Sequence, residues 1–148
     1  MIRPATVADL PAIAALGRQF HAAAAWDEIE YDEADCAETL ATFMDSGAFL
    51  CLVYEQAGEI VGMASGLVCP VYFNRSHLSG EELFWWVSPD APQFAGIRLL
   101  EALEGAARAL GCQTWQMKSL ARLGGDRMQR LYERRGYRAS ERIFIKRL

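Results

Sequence analysis

Apolar residues recur at two spacings along this chain, and the switching between them predicts alternating strands and helices. Ile2–Ala5 is a short strand candidate. Leu10, Ile13, Leu16 and Phe20 then fall three or four positions apart, which is the spacing of one helix face. Thr6 and Asp9, both cap-type residues, precede them. Ala22–Ala25 extends that helix or frays, and Trp26 opens an acidic connection. A second helix fits Asp32–Asp45, with Leu40 and Phe43 facing inward and Gly47 as its stop. Phe49–Tyr54 and Ile60–Val68 are apolar runs around the turn Gln56-Ala57-Gly58-Glu59, which predicts a hairpin. Pro70–Gly80 reads as polar and irregular. Glu82–Val87 is aromatic-rich and apolar on both faces, the strongest strand signal in the chain, and Ser88–Pro92 breaks it. A helix is predicted over Gly96–Leu110, with Ile97, Leu100, Leu103 and Leu110 buried and Gly111 as its left-handed cap. Thr114–Lys118 suggests a strand. Asp126–Arg135 suggests a short helix carrying Met128, Leu131 and Tyr132 on one face, ended by Gly136. Tyr137–Leu148 is expected to supply one or two closing strands. The order β-α-α-β-β-β-α-β-α-β implies a mixed α/β sheet with helices on its faces.

Composition narrows the class. A chain of 148 residues is expected to be a single domain over 1–148. Its 52% hydrophobic content excludes a wholly disordered chain. No apolar run approaches the ~18 residues of a membrane span. The start Met1-Ile2-Arg3-Pro4, soon interrupted by Asp9 and Pro11, lacks the basic-then-apolar layout of a secretory signal. A soluble, cytoplasmic protein without a membrane partner is therefore expected. Cys36, Cys51, Cys69 and Cys112 form no Cys-x-x-Cys pair, and His21 and His77 complete no zinc pattern. The expected thiols are reduced and mostly buried, and no metal is expected.

Charge changes the picture more. Residues 1–112 hold 5 Lys and Arg against 16 Asp and Glu, while residues 113–148 hold 10 against 3. The basic end includes Lys118, Arg122, Arg127, Arg130, Arg134, Arg135, Arg138 and Arg142. Such an excess attracts anions, or simply solvates a helix face. With a net charge of −4, a small phosphorylated ligand suits the chain better than nucleic acid. The acidic cluster Asp27, Glu28, Glu30, Asp32, Glu33, Asp35 and Glu38 would gather cations such as amines, or bias a helix start.

Two segments carry candidate chemistry. Strand 82–87, a proline-containing turn and a helix opening near Gly96 would present unpaired N–H groups at the positive end of a helix dipole. That arrangement suits a pyrophosphate. Gln93, Phe94, Ala95, Gly96, Ile97 and Arg98 would form its rim, with Gly96 permitting close backbone approach and Arg98 adding a cation. The alternative is an ordinary connection. In the second segment, Tyr132 sits on a short helix just before a glycine-capped turn. A phenol of ordinary pKa ~10 is protonated at neutral pH and can donate to a departing thiolate, or it can merely pack on the sheet.

These segments, taken in order, resemble the GNAT N-acetyltransferase superfamily over nearly the whole chain. The resemblance rests on Ile2-Arg3-Pro4-Ala5-Thr6-Val7-Ala8-Asp9-Leu10-Pro11 and on Gly58-Glu59-Ile60-Val61-Gly62. It rests further on Trp86-Val87-Ser88-Pro89-Asp90 leading to Leu99-Leu100, and on Leu131-Tyr132-Glu133-Arg134-Arg135-Gly136-Tyr137. One departure stands out. The family's phosphate loop, Arg/Gln-x-x-Gly-x-Gly/Ala, is degenerate here. Read literally, Gln93-x-x-Gly96-x-Arg98 puts Arg in the last small position. In the register that aligns Leu99-Leu100, Ala91 replaces Arg/Gln and Phe94 replaces the first glycine.

The resemblance implies a central, mostly antiparallel twisted sheet of six to seven strands with four helices on its faces. It implies acetyl-CoA as co-substrate and transfer of its acetyl group to a primary amine by direct attack in a ternary complex. Trp85, Trp86 and Val87 would line the pantetheine arm, with a backbone N–H near Val87 polarising the thioester oxygen. Trp85 and Trp86 read equally well as core residues, one per face. Tyr132 matches the family's general acid. Glu81 and Glu82 are the candidate bases. Strand alternation places Glu81 with Leu83, Trp85 and Val87, and Glu82 with Phe84 and Trp86, which favours Glu81. The acceptor, a small-molecule or protein amine, would be bound by Trp26, Glu28 and Tyr31 and by the segment Tyr72–His77. The acids there favour a cationic amine, whereas Arg75 and His77 favour one bearing a carboxylate. Exposed edge strands could pair two copies into a homodimer. The alternative reading is a catalytically weak or inactive GNAT-fold binding or regulatory module.

Overall fold

In the computed structural model, which describes residues 1–120 and 122–148, five strands form one mixed sheet in the order β1-β2-β3-β4-β5. The strands are β1 (Ile2–Pro4), β2 (Phe49–Gln56), β3 (Glu59–Val71), β4 (Asn74–Val87) and β5 (Thr114–Gln116). The first four run antiparallel, and β5 pairs parallel to β4. Four helices accompany them: α1 (Leu10–Ala24), α2 (Glu33–Asp45), α3 (Ala95–Ala109) and α4 (Gly125–Arg134). No helix is long and apolar enough to cross a membrane, and no cluster of His, Cys, Asp and Glu could hold a metal ion, among the described residues.

The N-terminus folds around one ion network. A 3-10 turn over Val7–Asp9 leads into α1. The Asp9 carboxylate accepts from the Thr6 N–H at 2.7 Å and from two Arg3 nitrogens at 2.8 and 2.9 Å. Arg3 also reaches Glu55 at 2.7 Å, so one guanidinium ties the turn before α1 to β2. At α2, the Asp32 side chain accepts from the Asp35 N–H at 2.9 Å, the cap its position predicts.

The sheet separates two apolar cores. On one face α1 and α2 bury Ile13, Leu16, Phe20 and Leu40 against Val53, Met63 and Phe84. On the other, α3 buries Leu99 and Leu103 against Leu52, Tyr54 and Ala64. Leu99, Leu100 and Leu103 are fully buried, and truncating a leucine so placed costs about 2–5 kcal/mol. Gly62 lets this helix close on the sheet, since a Cβ there would press on Val87 and Leu99 at 2.9 and 3.0 Å.

The structure corrects four expectations. The sheet has five strands instead of six to seven. Pro70–Gly80 is strand, not irregular chain: β3 and β4 form one long hairpin in which Val71 pairs with Asn74 around Tyr72-Phe73. Cross-strand pairing overrides the weak local propensity of these polar residues. Tyr137–Leu148 forms no strand, and residues 138–148 are exposed. The edge they would have to extend, β5, is only 3 residues long. Lastly, β4 does not alternate regularly. Phe84 pairs with Ser65 but Glu82 pairs with Gly66, so Leu83 is an extra residue in a β-bulge.

Candidate active site

The bulge at Leu83 decides which side chains meet. Leu83, Phe84 and Trp86 all join the core under α1 and α2, whereas Trp85 and Val87 join the core under α3. Consecutive residues Leu83 and Phe84 therefore share a face, and the strict alternation that grouped Glu82 with Phe84 and Trp86 fails. The Glu82 carboxylate turns instead toward the chain following β5.

There it sits where two strands part. Strands β4 and β5 pair only over Ser79–Glu81 and Thr114–Gln116. Beyond Glu81, no strand covers the outer edge of β4 among the described residues. The Ser88 N–H donates to the Val61 carbonyl on the β3 side at 2.8 Å. Antiparallel alternation then points the Trp85 and Val87 N–H groups outward, into the gap.

Glu82 and Tyr132 converge on Lys118 at the mouth of that gap. The Lys118 N–H donates to Glu82 Oε2 at 2.8 Å, and Tyr132 Oη donates to the Lys118 carbonyl at 2.9 Å. The Lys118 ammonium pairs with exposed Glu81 at 2.9 Å. Glu82 is only 5% exposed. Burial pushes its carboxyl up to about 7, opposed by the Lys118 N–H and charge. Burial, together with the nearby Glu82 carboxylate, pushes the Tyr132 phenol well above its ordinary value. Two groups separated in this way can act as a base titrating near neutrality and an acid that keeps its proton.

The start of α3 adjoins this gap. The Trp85 indole donates to the Gly96 carbonyl at 3.0 Å, clamping the strand to the helix. At the rim, the Ala95 N–H is used by Pro92 and the Arg98 N–H by Phe94, but those of Gly96 and Ile97 have no partner among the described residues. The Arg98 side chain is exposed and makes no ion pair among the described residues. Phe94 is the N-cap, with φ of 68° in the left-handed region, and it is 62% exposed, so its ring faces solvent.

On the opposite face, Trp26, Tyr31, Phe20, Leu83 and Phe84 line a cavity of about 140 Å³ between α1, α2 and β4. Tyr31 lies against α1 at Gly17, where a Cβ would overlap its hydroxyl.

Residues 15–137 match the model of the acetyltransferase (GNAT) family. The chain belongs to that family. Solved structures agree at the level of the fold. An acetyltransferase of Trypanosoma brucei is 22% identical with a TM-score of 0.76, covering 100% of this chain and 99% of its own. A ribosomal-protein-alanine N-acetyltransferase from Brucella melitensis biovar Abortus 2308 is 17% identical, with a TM-score of 0.75 and the same coverage. A predicted acetyltransferase from Clostridium acetobutylicum, solved with acetyl-CoA, is 15% identical with a TM-score of 0.74, covering 99% of this chain and 94% of its own. No curated protein sequence is significantly similar.

Within this GNAT chain, the residues singled out by sequence fall into separate places. Glu82 and Tyr132 come together at Lys118; Glu81 is exposed and ion-paired. Trp85 and Val87 flank the gap, while the Trp86 ring packs at 5.8 Å from Phe20 in the other core. The two tryptophans thus occupy one face each. Trp26 and Tyr31 line the cavity, but Glu28 is exposed and outside its lining. Tyr72 is 93% exposed at a hairpin tip, and His77 Nε2 is bonded to Thr114 Oγ1 at 2.9 Å. The segment Tyr72–His77 does not line the cavity. Lys118, read from the sequence only as one of the basic residues, meets Glu82 and Tyr132 through its backbone, for which a side-chain pattern carries no signal.

Proposed function

We propose that this protein transfers the acetyl group of acetyl-CoA to a primary amine by direct attack in a ternary complex. The observation that carries the reading is the juxtaposition of Glu82 and Tyr132 on Lys118, at the point where β4 and β5 separate. The residues present fit the co-substrate. The unpaired Gly96 and Ile97 N–H groups and the unpaired Arg98 suit its diphosphate, and the open edge of β4 suits the amide-bearing pantetheine arm. Acetyl-CoA supplies the acetyl group as a reactive thioester. The Val87 N–H donates to the thioester oxygen; loss of one such donor commonly costs about 2.7–4 kcal/mol. Glu82, as carboxylate, accepts a proton from the attacking ammonium, directly or through water. The nitrogen bonds to the carbonyl carbon, the carbon–sulfur bond breaks, Tyr132 gives its proton to the leaving thiolate, the protonated amide nitrogen returns a proton to the Tyr132 phenolate, and Glu82 releases its proton to solvent. Proton count and charge balance without any oxidant or reductant. Isothermal titration with acetyl-CoA tests the reading: a saturable heat is expected, and no heat at millimolar ligand would overturn it.

Phe94 favours a second reading, a GNAT-fold module of weak or no activity. In the register that aligns Leu99-Leu100, a phenylalanine held at φ 68° stands in for the loop's first glycine, and its bulk would narrow the approach to the rim. This reading predicts capture of a partner that is sensitive to salt and independent of acetyl-CoA.

A further inference from the structure

From the cavity under α1 and α2 we infer the class of acceptor: a primary amine attached to an aryl or branched-alkyl group about the size of benzene. The inference rests on the acetyl-transfer reading, since it takes this cavity as the seat of the acceptor.

Four observations carry it. First, the lining is apolar and aromatic, with Phe20, Trp26, Tyr31, Leu83 and Phe84 contributing. Two of the polar atoms among its walls are already engaged: Tyr31 Oη donates to the Ala14 carbonyl at 2.7 Å, and His21 Nε2 bonds the Ile29 carbonyl at 2.6 Å. A ligand bringing hydroxyls or a second ammonium would give up its hydration and find few replacement partners. Second, the volume of about 140 Å³ matches the group proposed, since an apolar cavity of about 150 Å³ holds benzene. Third, the cavity shares strand β4 with the proposed base. Leu83 and Phe84 form part of its wall because of the bulge, and Glu82 is the residue immediately before them. The Glu82 side chain turns to Lys118 and does not line the cavity, so the amine of a ligand seated here has to reach past Leu83 toward the β4–β5 gap. Fourth, the connection that supplies Trp26 and Tyr31 exposes Asp27, Glu28 and Glu30. These acids attract a cationic amine to the opening, while its apolar end finds no competitor for the interior.

The test uses the full chain with phenethylamine, spermidine and glucosamine as separate acceptors, following thiol release from acetyl-CoA. Phenethylamine is expected to show a kcat/KM at least about tenfold above the other two. A preference for spermidine or glucosamine would overturn the inference and leave acetyl transfer standing. Cys36 also lines the cavity, so Cys36→Phe fills it and Cys36→Ala does not. Cys36→Phe is expected to lower kcat/KM for phenethylamine at least about tenfold while the heat of acetyl-CoA binding, which reports a folded protein, is retained. Unchanged turnover in Cys36→Phe would overturn the inference. If acetyl-CoA gives no heat with the wild type, the acetyl-transfer reading fails by itself. Titration with phenethylamine alone then decides the ligand class: binding lost in Cys36→Phe and kept in Cys36→Ala supports it, and no binding overturns it.

Discussion

Glu82 and Tyr132 are joined through the two ends of one residue. The Lys118 N–H donates to the Glu82 carboxylate and the Lys118 carbonyl accepts from the Tyr132 hydroxyl. Glu82 thereby spans a gap that ordinary strand pairing would have closed, since β4 and β5 have already stopped pairing at Glu81 and Gln116. The tether holds the strands close enough to share a site and far enough apart to leave a peptide edge open.

Glu82 makes stability depend on pH in a direction opposite to that of a salt-bridged carboxylate. Its carboxyl titrates at about 7 in the fold against 4.5 ordinarily, so ionisation disfavours the folded state. Nothing is lost below the ordinary value; the penalty grows between the two values and is complete above about 7. A shift of this size corresponds to about 3 kcal/mol. Glu82→Gln keeps an oxygen for the Lys118 N–H and removes the charge. Urea unfolding should show it more stable than wild type by up to about 3 kcal/mol at pH 8, and equal at pH 4. Equal stability at both pH values would show that Glu82 is not held protonated.

The same carboxyl sets the acid limb of the rate. With Glu82 as base, wild-type kcat/KM should fall about tenfold per pH unit below about 7. In Glu82→Gln that limb should disappear and kcat should drop by roughly 10²–10⁴. A limb that persists in the variant would assign it to another group.

Tyr132→Phe separates chemistry from binding. The phenol stays protonated because burial and Glu82 raise its pKa. Its removal should lower kcat by about 10²-fold or more while acetyl-CoA binds with nearly wild-type Kd by calorimetry. The lost bond to the Lys118 carbonyl should lower stability by about 1 kcal/mol. An unchanged kcat would remove Tyr132 from the mechanism.

Phe94 carries backbone strain that glycine would relieve. A non-glycine residue in the left-handed region costs about 1–3 kcal/mol, partly offset by the greater chain entropy of glycine, about 0.5–1 kcal/mol. Phe94→Gly should therefore leave the denaturation midpoint unchanged or raise it, and should tighten acetyl-CoA binding several-fold by opening the approach to Gly96 and Ile97. Phe94→Val, with a β-branched side chain at φ 68°, should lower the midpoint. Weaker acetyl-CoA binding by the glycine variant would show that the Phe94 ring contributes to the site.

Gly80 and Gly66 seat the Trp115 ring, because a Cβ at either would overlap it. Gly80 pairs with Trp115 in the short β4–β5 contact, next to Glu81 and Glu82. Gly80→Ala should cost about 1–3 kcal/mol, read by thermal unfolding, and should lower activity more than a surface substitution of equal cost, because the gap would shift. Wild-type stability would show that the ring moves aside freely.

Local pattern was enough for the helices and for most strands. The three- and four-residue spacing of Leu10, Ile13, Leu16 and Phe20 found α1. Asp32 announced α2 through its side-chain cap, and Leu100 and Leu103 marked the buried side of α3. These signals are legible because helix periodicity and capping act over a few residues. Pro70–Gly80 was not legible, since its strand character comes from pairing between partners such as Cys69 and Ser79. The apolar triplet Ile143-Phe144-Ile145 misled in the other direction: it has strand composition but stays exposed.

The sequence by itself determined the element order as far as α4, the strand-turn-helix at residues 82–98 and, through the family resemblance, the candidates Glu81, Glu82 and Tyr132, because residue type and short-range spacing carry that information. Only the tertiary structure decided that Glu82, not Glu81, is the buried carboxyl. That outcome depends on one extra residue at Leu83, which resets the facing of β4, and on a peptide 36 positions away that receives the side chain. A bulge arises from how two strands align with each other, so no reading of one strand alone could place it.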